Sequence, residues 1–469
     1  MGPSLAAGYA AVLWARTAIR VLVEVGPPLD VSRNRGRLSD TVYEWVRDGL
    51  MARGGGGGGV GDGWASLVPR GATFAVDARV GGVAGAPDGG AGLTRAVGLA
   101  VKDAVCDALV GGGAAKPDRP EGGYATADVP LFIAASGTEV TLYRDLVGGS
   151  LHKRGYRAGG GVVHRAALNE TVAAGICYAA GFSVEGGWAP PAGVSSPLAP
   201  RGADAAAGES PPLAPPAPAA WDAGAPLAVV DPMCGSGTLL VEAGLLARRV
   251  PPGLLRPPGA PAHPFTRWPD YPSGAWTDLQ HQAAAAVRPA AACGVRLYGN
   301  DVHGGALSLA VAGLSTARLD RMVVLNQGDA ATYTPPGGVG VVLSNPPWGR
   351  RLGRGAGDAS PADPRSAGAG GGASGAGGGD GDADPWGALG TFLRRQAGGA
   401  TATLLSGDAG ATRGLRMRAA AKRPVRIGNV DCRIVQYAVL PPREGGRDGR
   451  DGRDGRDGRD GRDGRDGRD

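Results

Sequence analysis

The sequence predicts an α/β fold built on a doubly wound, Rossmann-like parallel sheet. Four short apolar runs follow one another between residues 225 and 345, and each delivers a polar residue at its end. Because the carboxyl ends of parallel strands meet at one edge of a sheet, and open α/β sheets bind ligands there, these polar residues are expected to share one site. They are Asp231, Asp301, Asp329 and Asn345.

The first strand end is followed by a glycine loop and a predicted helix over residues 237–249. Gly235 and Gly237 allow the backbone to approach a ligand closely, and the helix start near Thr238 offers free N–H groups to a carboxylate or a phosphate. No Gly-Lys-Ser/Thr follows, and no third glycine stands at dinucleotide spacing. The loop therefore disfavours ATP and NAD as ligands.

The next two strand ends carry Asp301 and Asp329. In a doubly wound fold, a carboxylate at the position of Asp301 grips a ribose diol, and one at the following strand end suits the amino group of adenine. A helix cap is the structural alternative for Asp301, because a short acidic side chain also satisfies the backbone at the start of a helix.

The tetrapeptide Asn345-Pro346-Pro347-Trp348 ends the fourth run. Proline cannot donate to a strand ladder, so the strand stops there. An exocyclic amine of a nucleobase is a poor nucleophile. The Asn345 side-chain oxygen and the Pro346 carbonyl are suited to accept its hydrogens while Trp348 stacks on the base. The tetrapeptide thus predicts methyl transfer to an amino group, with a plain strand-ending turn as the alternative.

Together these motifs resemble the THUMP-domain RNA methyltransferases, in particular the ribosomal RNA large subunit methyltransferase K/L type of the UPF0020-like RNA methylases. The resemblance covers most of residues 5–441. It implies a class I S-adenosylmethionine-dependent methyltransferase domain preceded by an α+β THUMP-like domain. The motifs are Asp231–Thr238, Gly299–Asp301, Gly328–Asp329 and Ser344–Gly349, with further likeness at 145–157, 404–408 and 428–437.

The resemblance implies S-adenosyl-L-methionine as the methyl donor and guanine N2 in large-subunit (23S) rRNA as the acceptor. No metal is expected. The implied donor-binding residues are Asp231, Gly235, Ser236, Gly237, Thr238, Asp301 and Asp329. The implied catalytic residues are Asn345, Pro346, Pro347 and Trp348.

Other functions stay open at this point. Asn-Pro-Pro-Trp also suits guanine N2 in tRNA and adenine N6 in RNA or DNA, and a non-catalytic RNA-binding factor for ribosome assembly is an alternative of another class. The chain departs from the family at Arg350, where the family carries glutamate, and at its front, where further N-terminal structure is expected in the family.

Length and composition predict two domains. The 469 residues suffice for both, but 86 glycines and 38 prolines leave a shorter folded part. Segments rich in Pro, Ala, Ser or Gly without bulky apolar side chains are predicted to be disordered, because they cannot offset their ordering entropy. The predicted organisation is a THUMP-like RNA-binding domain over 5–150, N-terminally incomplete and with a Gly-rich insertion at 54–59, a methyltransferase domain over 151–441 with disordered insertions at 190–218 and 353–384, and a disordered Gly-Arg-Asp tail over 442–469.

Hydrophobic periodicity also places individual elements. Helices are predicted over 7–16, 94–109 and 166–180, strands over 18–25, 72–78, 401–405 and 430–440, and a hairpin over 131–146. The helix over 237–249 is expected to pack on the central sheet through its apolar face.

Basic residues concentrate in two places, within a formal net charge of +6. Beside a base-binding site, such residues hold phosphates and make binding weaken with salt. The alternatives are a solvated helix face for the second group and a role in domain docking for the first. The predicted RNA-binding residues are His152, Lys153, Arg154 and Arg157, then Arg413, Arg416, Arg418, Lys422, Arg423 and Arg426.

Cysteine usage predicts a reducing intracellular compartment, either the cytoplasm or an organelle such as the plastid. The five cysteines are scattered, odd in number and without a Cys-x-x-Cys pair, so neither disulfides nor a zinc site are indicated. No segment approaches the roughly 20 apolar residues that cross a membrane, and no clear targeting segment is expected. RNA is the expected partner, and a monomer is favoured.

Overall fold

The computed structural model describes residues 5–34, 36–50, 63–83, 90–157, 168–182, 226–257, 259–348, 384–408 and 410–441. The predictions for 54–59, 190–218, 353–383 and 442–469, and the departure at Arg350, lie outside these residues. Asp384 was predicted as the last residue of the disordered insertion over 353–384. In the structure it is instead the N-cap of a helix and accepts a hydrogen bond from the Trp386 N–H.

The front part of the chain forms an α+β unit. Its sheet has the order β1-β5-β4-β3, with β2 added at β5, and only β3 and β4 run parallel. The long helix α4 forms because apolar residues recur at helical spacing, and Val97, Val101 and Val105 are buried. The elements are α1 (Leu5–Trp14), β1 (Leu22–Glu24), β2 (Leu29–Asp30), α2 (Leu38–Glu44) extended by a π-helical turn (Trp45–Gly49), α3 (Trp64–Leu67), β3 (Phe74–Val83), α4 (Ala91–Gly111), β4 (Val129–Gly137) and β5 (Glu139–Asp145).

The rest of the chain forms a seven-stranded sheet with helices around it. The strand order is β11-β12-β10-β9-β6-β7-β8, with the run from β10 to β8 parallel and β11 and β12 antiparallel. The elements are α5 (Glu170–Ala179), β6 (Leu227–Asp231), α6 (Thr238–Ala247), α7 (Ala275–Ala285), β7 (Val295–Asp301), α8 (Gly304–Thr316), β8 (Val323–Gln327), β9 (Val341–Ser344), α9 (Pro385–Gln396), β10 (Thr401–Ser406), β11 (Ala421–Ile427) and β12 (Val430–Ala438).

Strand β6 lies at the switch point of this sheet. It pairs with β7 on one side and with β9 on the other, so the chain order reverses beside it. Such a reversal opens a crevice at the carboxyl ends of the strands, where doubly wound folds bind ligands. The predicted strand ends follow this plan: β6 and β7 end at Asp231 and Asp301, β8 stops two residues before Asp329, and β9 stops one residue before Asn345.

Residues 263–285 were assigned to the second domain from sequence, but they contribute to the core of the front unit. Phe265 is fully buried and stacks on Tyr9 with ring centroids 4.6 Å apart. Trp268 packs under Arg144, whose guanidinium lies 4.2 Å from the ring centroid. The core of the front unit is therefore completed by a segment from beyond strand β6.

A buried carboxylate on α6 joins three parts of the chain. Glu242 is fully buried and forms ion pairs with Arg154 and, at 3.9 Å, with Arg16, and it accepts a hydrogen bond from Tyr156 Oη at 3.0 Å. Arg154 also donates to the Arg16 carbonyl. We call Arg16, Arg154, Tyr156 and Glu242 the buried network. It links the segment just after α1, the connector after β5 and the helix that follows the glycine loop.

In the described part of the chain, no helix is both long enough and apolar enough to cross a membrane. All five cysteines are free.

Replacing Glu242 with Gln should lower the free energy of unfolding by about 3–5 kcal/mol, because Arg16 and Arg154 would remain as buried cations without a counter-charge. Urea titration followed by far-UV circular dichroism measures the change. Asp431→Asn serves as the control, since Asp431 is exposed and lies 3.9 Å from Arg426. Equal urea midpoints for wild type and Glu242→Gln would contradict the stabilising role of the buried network.

Candidate active site

Asp231 stands at the carboxyl end of β6 with only 1% of its surface exposed. Its Oδ1 accepts the Met233 N–H at 3.2 Å and the Ser344 hydroxyl at 2.8 Å. Burial raises the pKa of Asp231 to about 7, the two hydrogen bonds oppose the rise, and the charge of Asp301 adds to it. Asp231 therefore changes charge near neutral pH and connects the strand ends of β6 and β9.

The glycine loop, Pro232–Gly237, folds as its residues require. Gly235 has φ +52° and Gly237 has φ +73°, in the left-handed region that favours glycine. Helix α6 begins directly after the loop, at Thr238. The Gly235 N–H donates to Asp301 Oδ2 at 2.8 Å, and Ser236 Oγ lies 3.5 Å from Thr238 Oγ1.

Asp301 and Asp329 both lie at the same edge of the sheet. Asp301 Oδ1 accepts the His303 N–H at 2.9 Å in a turn just before α8. The N-cap of α8 is His303, without a side-chain cap hydrogen bond, so the helix cap expected as the alternative role of Asp301 is not formed. Asp329 is exposed, and its Oδ1 accepts the Ala331 N–H at 2.8 Å.

Asn300 organises these strand ends, although sequence reasoning did not single it out. Its fully buried amide donates to the carbonyls of Pro232 at 3.0 Å and Gly328 at 2.9 Å, and accepts from Asn326 Nδ2 at 2.7 Å. The only signal in sequence is an amide within an apolar strand, directly before Asp301. Asn300 fixes the glycine loop relative to the loop that carries Asp329.

The NPPW turn, Asn345–Trp348, follows β9 beside the glycine loop. Asn345 Oδ1 is buried and has no hydrogen-bond partner among the described residues. The Pro347 carbonyl accepts the Trp386 Nε1–H at 2.9 Å, which anchors the turn to α9. Trp386 is a second residue that sequence reasoning missed, because its role depends on a partner 39 residues away.

Trp348 lies against the backbone of Gly407, where any side chain would collide with its ring. Its Nε1 is buried and unpaired within the described chain. The ring is half-buried and packs against apolar side chains on both sides of the sheet. Stacking of Trp348 on a base, predicted from sequence, stays a prediction, with one ring face already taken by Gly407.

Most side chains of the first predicted basic group are buried or half-buried rather than exposed. Arg154 is 2% exposed within the buried network, so its predicted contact with RNA does not fit its position. Arg157 pairs with Glu170 at 3.5 Å and donates to Thr238 Oγ1 and, at 2.6 Å, to the Leu168 carbonyl. His152 is half-buried beside Ser150, and burial lowers its pKa. Lys153 alone is exposed, so the structure favours the docking alternative for this group.

The second predicted basic group is exposed and lies on a strand rather than a helix. Leu404 pairs with Ser344 on one side and with Val435 on the other, and Val435 pairs with Lys422. Lys422 is therefore in one row with Ser344, about 14 Å away across three strand spacings. The basic strip is the set Arg413, Arg416, Arg418, Lys422, Arg423 and Arg426, all exposed.

The basic strip reaches the NPPW turn through a short series of contacts. Gly414, next to Arg413, lies against the side chain of Trp386, and Trp386 holds the Pro347 carbonyl. Beyond Lys422, Arg423 and Arg426 continue toward the hairpin tip past the carboxyl edge of the sheet. The strip and the turn thus border the same edge.

Across the described residues, no group of three or more His, Cys, Asp or Glu side chains is arranged to hold a metal ion.

The sheet order, the switch point and the glycine loop define a class I methyltransferase fold, as predicted. A possible methylase from Clostridium difficile 630 has this fold with a TM-score of 0.62 and 21% identity, over 93% of this chain and 89% of that one. The structure of SMU.472 complexed with SAH matches with a TM-score of 0.61 and 19% identity, over 94% of this chain and 89% of that one.

Residues 218–358 match the UPF0020 family, described as an RMKL-like methyltransferase domain. This match over residues 218–358 confirms the resemblance seen in the sequence. The THUMP-like assignment of the front unit stays a prediction.

Two relatives are named ribosomal RNA large subunit methyltransferase K/L. The protein from Vibrio campbellii is 27% identical over 348 residues, which are 73% of this chain and 38% of the relative. The protein from Chromohalobacter salexigens is 33% identical over 264 residues, 55% of this chain and 30% of the relative. The chain thus spans only about a third of the length of these relatives.

The raised pKa of Asp231 predicts a pH dependence for binding of a cationic ligand in the glycine loop. A cation favours the carboxylate, so affinity should be full above about pH 8 and fall by up to about tenfold per pH unit below 7. Calorimetry with sinefungin, an amine-bearing analogue of S-adenosylmethionine, measures this. Asp231→Asn should flatten the profile, while Asp320→Asn, at an exposed carboxylate before β8, should preserve it. A flat wild-type profile between pH 6 and 8 would contradict the assignment.

Proposed function

We propose that this chain is an S-adenosyl-L-methionine-dependent RNA methyltransferase that forms N2-methylguanine in large-subunit rRNA. The observation that carries the proposal is the 2.8 Å hydrogen bond from Ser344 Oγ to Asp231 Oδ1. It joins the strand before the NPPW turn to the strand before the glycine loop. A base held by the turn and a methyl donor held by the loop would therefore meet at one sheet edge.

The residues around the glycine loop fit the methyl donor. A Cβ built on Gly235 meets no atom within 4 Å, so there is space beside the loop for a ligand. Asp231 suits the positive charge of the donor, Asp301 its ribose hydroxyls and Asp329 its adenine amine. The N–H groups at the start of α6, with the Arg157 guanidinium close to Thr238, suit its carboxylate. When bound, the donor supplies an electrophilic methyl group on a sulfonium.

The NPPW turn fits an exocyclic amine. A buried carbonyl oxygen without a donor is unfavourable by about 1–3 kcal/mol, and Asn345 Oδ1 is in that condition in the described structure. An amine N–H arriving at this oxygen relieves the penalty. The Pro346 carbonyl, one residue on, receives no hydrogen bond from the described residues and is the second acceptor. With both hydrogens held, the nitrogen lone pair is free to point toward the methyl group.

Transfer is in-line and direct, without a covalent intermediate on the protein. Cys234 lies in the glycine loop, but burial raises the pKa of its thiol far above neutral, so it stays protonated and is a poor nucleophile. Most of the rate then comes from positioning the amine and the sulfonium at near-attack distance.

The basic strip supplies the contact with RNA. Its cations border the same sheet edge as the NPPW turn and are exposed, so they can bind phosphates on either side of a base that enters the site. The relatives named for large-subunit rRNA favour this substrate. A base within a duplex must be flipped out, so a loop or an opened helix is the expected target.

The proposal is tested by incubating the protein with methyl-labelled donor and rRNA from cells that lack it, followed by nuclease digestion and mass spectrometry. The expected product is N2-methylguanine. N6-methyladenine, or labelling of tRNA or DNA in preference to rRNA, would instead support the alternatives that Asn-Pro-Pro-Trp leaves open. Donor binding without any methylated product would support a non-catalytic assembly factor.

In the same assay, Asn345→Ala should reduce turnover at least about 100-fold, the typical effect of removing one preorganised polar group, with donor affinity nearly unchanged. Asp301→Ala should mainly weaken donor binding, by about 10- to 100-fold, because it removes charged hydrogen bonds to the ligand. Calorimetry gives the dissociation constant and single-turnover kinetics give the chemical rate. Equal loss of both quantities in either variant would contradict the division of roles.

Arg413→Gln with Arg416→Gln should weaken RNA binding and make its dependence on salt less steep. For single-stranded RNA, the slope of log K against log salt should fall in magnitude by about 1.4 for two lost phosphate contacts. Filter binding between about 50 mM and about 300 mM potassium chloride measures the slope. The control is Arg296→Gln with Arg321→Gln, two exposed arginines at the amino ends of β7 and β8, for which an unchanged slope is expected. Equal slopes for both double variants would exclude the basic strip as the phosphate site.

A further inference from the structure

The glycine loop and strand β9 share one buried acceptor atom. Asp231 Oδ1 accepts hydrogen bonds from both the Met233 N–H of the loop and the hydroxyl of Ser344. Asp231 is 1% exposed and Ser344 is 0% exposed. Bulk water therefore does not compete for this contact. Ser344 is followed directly by Asn345, so a change in the contact acts one residue away from the proposed amine acceptor.

The strength of this contact depends on the charge of Asp231, because a hydrogen bond to a carboxylate is roughly twice as strong as one to a neutral acceptor. Burial and Asp301 raise the pKa of Asp231 to about 7, while Ser344 and Met233 lower it. The neighbouring thiols of Cys177 and Cys234 are kept neutral, since burial raises the pKa of each. Near neutral pH, Asp231 is thus a mixture of the protonated acid and the carboxylate, and a cation bound beside it favours the carboxylate.

We propose that Ser344 is a positioning residue that makes binding of the methyl donor and binding of the target base cooperative. The inference rests on the proposed function, because it requires a cationic donor in the glycine loop and an amine at the NPPW turn. Donor binding strengthens the contact from Ser344 to Asp231, and that contact holds the two amine acceptors in place. Coupling between sites is reciprocal, so a bound base favours the donor equally.

The expected size of the coupling follows from the change in hydrogen-bond strength. At about pH 6, where Asp231 is mostly neutral without a bound cation, passing from a neutral to a charged acceptor predicts that each ligand binds about five- to tenfold more tightly when the other is present. Calorimetry with sinefungin, with and without saturating unmodified 23S rRNA fragment, measures the coupling in wild type.

Three variants separate positioning from general stability. Ser344→Ala should reduce the coupling to less than about twofold while sinefungin alone still binds. Ser344→Thr keeps the hydroxyl and should retain the coupling. Thr403→Val, which alters a buried hydroxyl on the adjacent strand β10 in register with Leu343, should also retain it.

A second measurement responds only to the contact with Asp231. Loss of the Ser344 hydroxyl removes a bond that favours the carboxylate, so the pKa of Asp231 rises further in Ser344→Ala. Sinefungin should therefore release more protons at pH 8 from this variant than from wild type, as measured by calorimetry in buffers of different ionisation enthalpy. A purely structural role for Ser344 would leave proton release unchanged.

Coupling that persists in Ser344→Ala, or that is absent in wild type although both ligands bind, overturns the inference and leaves the proposed function intact. A wild-type protein that fails to bind sinefungin overturns the proposed function, and the inference with it.

Discussion

A single buried carboxylate determines how the two halves of this chain fit together. Glu242 balances two arginines that belong to different parts of the sequence, and removing charges from water is worthwhile only when the geometry and hydrogen bonds are complete. Arg154 also donates to the Arg16 carbonyl, and Arg16 donates to the carbonyls of Leu245 and Val250, while Arg16 Nη1 and Arg154 Nε have no hydrogen-bond partner among the described residues. Since Glu242 lies one turn into α6, the same helix that begins at the glycine loop also carries the joint between domains. Helix α6 therefore connects the position of the front unit to the glycine loop.

The site itself follows from the switch point of the sheet. Strand β6 lies between β7 and β9, so Asp231 has Asp301 on one side and the NPPW turn on the other. Polar side chains at this edge are satisfied almost entirely by one another: Asn300 fixes two loops, Asp301 fixes Gly235, and Ser344 fixes Asp231. Among the described residues at this edge, Asn345 Oδ1 and Trp348 Nε1 are buried and unpaired, and Asn345 Oδ1 is an acceptor for which a ligand can supply the donor.

Much of this arrangement was predictable because it is encoded locally. Glycines in the left-handed region, prolines that end a strand and apolar runs that end in carboxylates depend on neighbours in sequence, and the strand ends at Asp231 and Asp301 were correct to the residue. Contacts that join distant segments could not be predicted in this way. Arg154 was expected at the RNA surface but is buried, because its partner Glu242 lies 88 residues away. Asn300 and Trp386 were missed for the same reason, and strand β11 was missed because its many charges hide the alternation of an edge strand.

The packing of residues 263–285 in the core of the front unit has a consequence for folding during synthesis. Phe265 and Trp276 are needed to close a core that begins with Tyr9, so that core stays open until the chain has been synthesised well past strand β6. Domains usually fold in order as they leave the ribosome, the N-terminal one first. Here the core of the front half needs residues that are synthesised after strand β6, so that core cannot close before they are available.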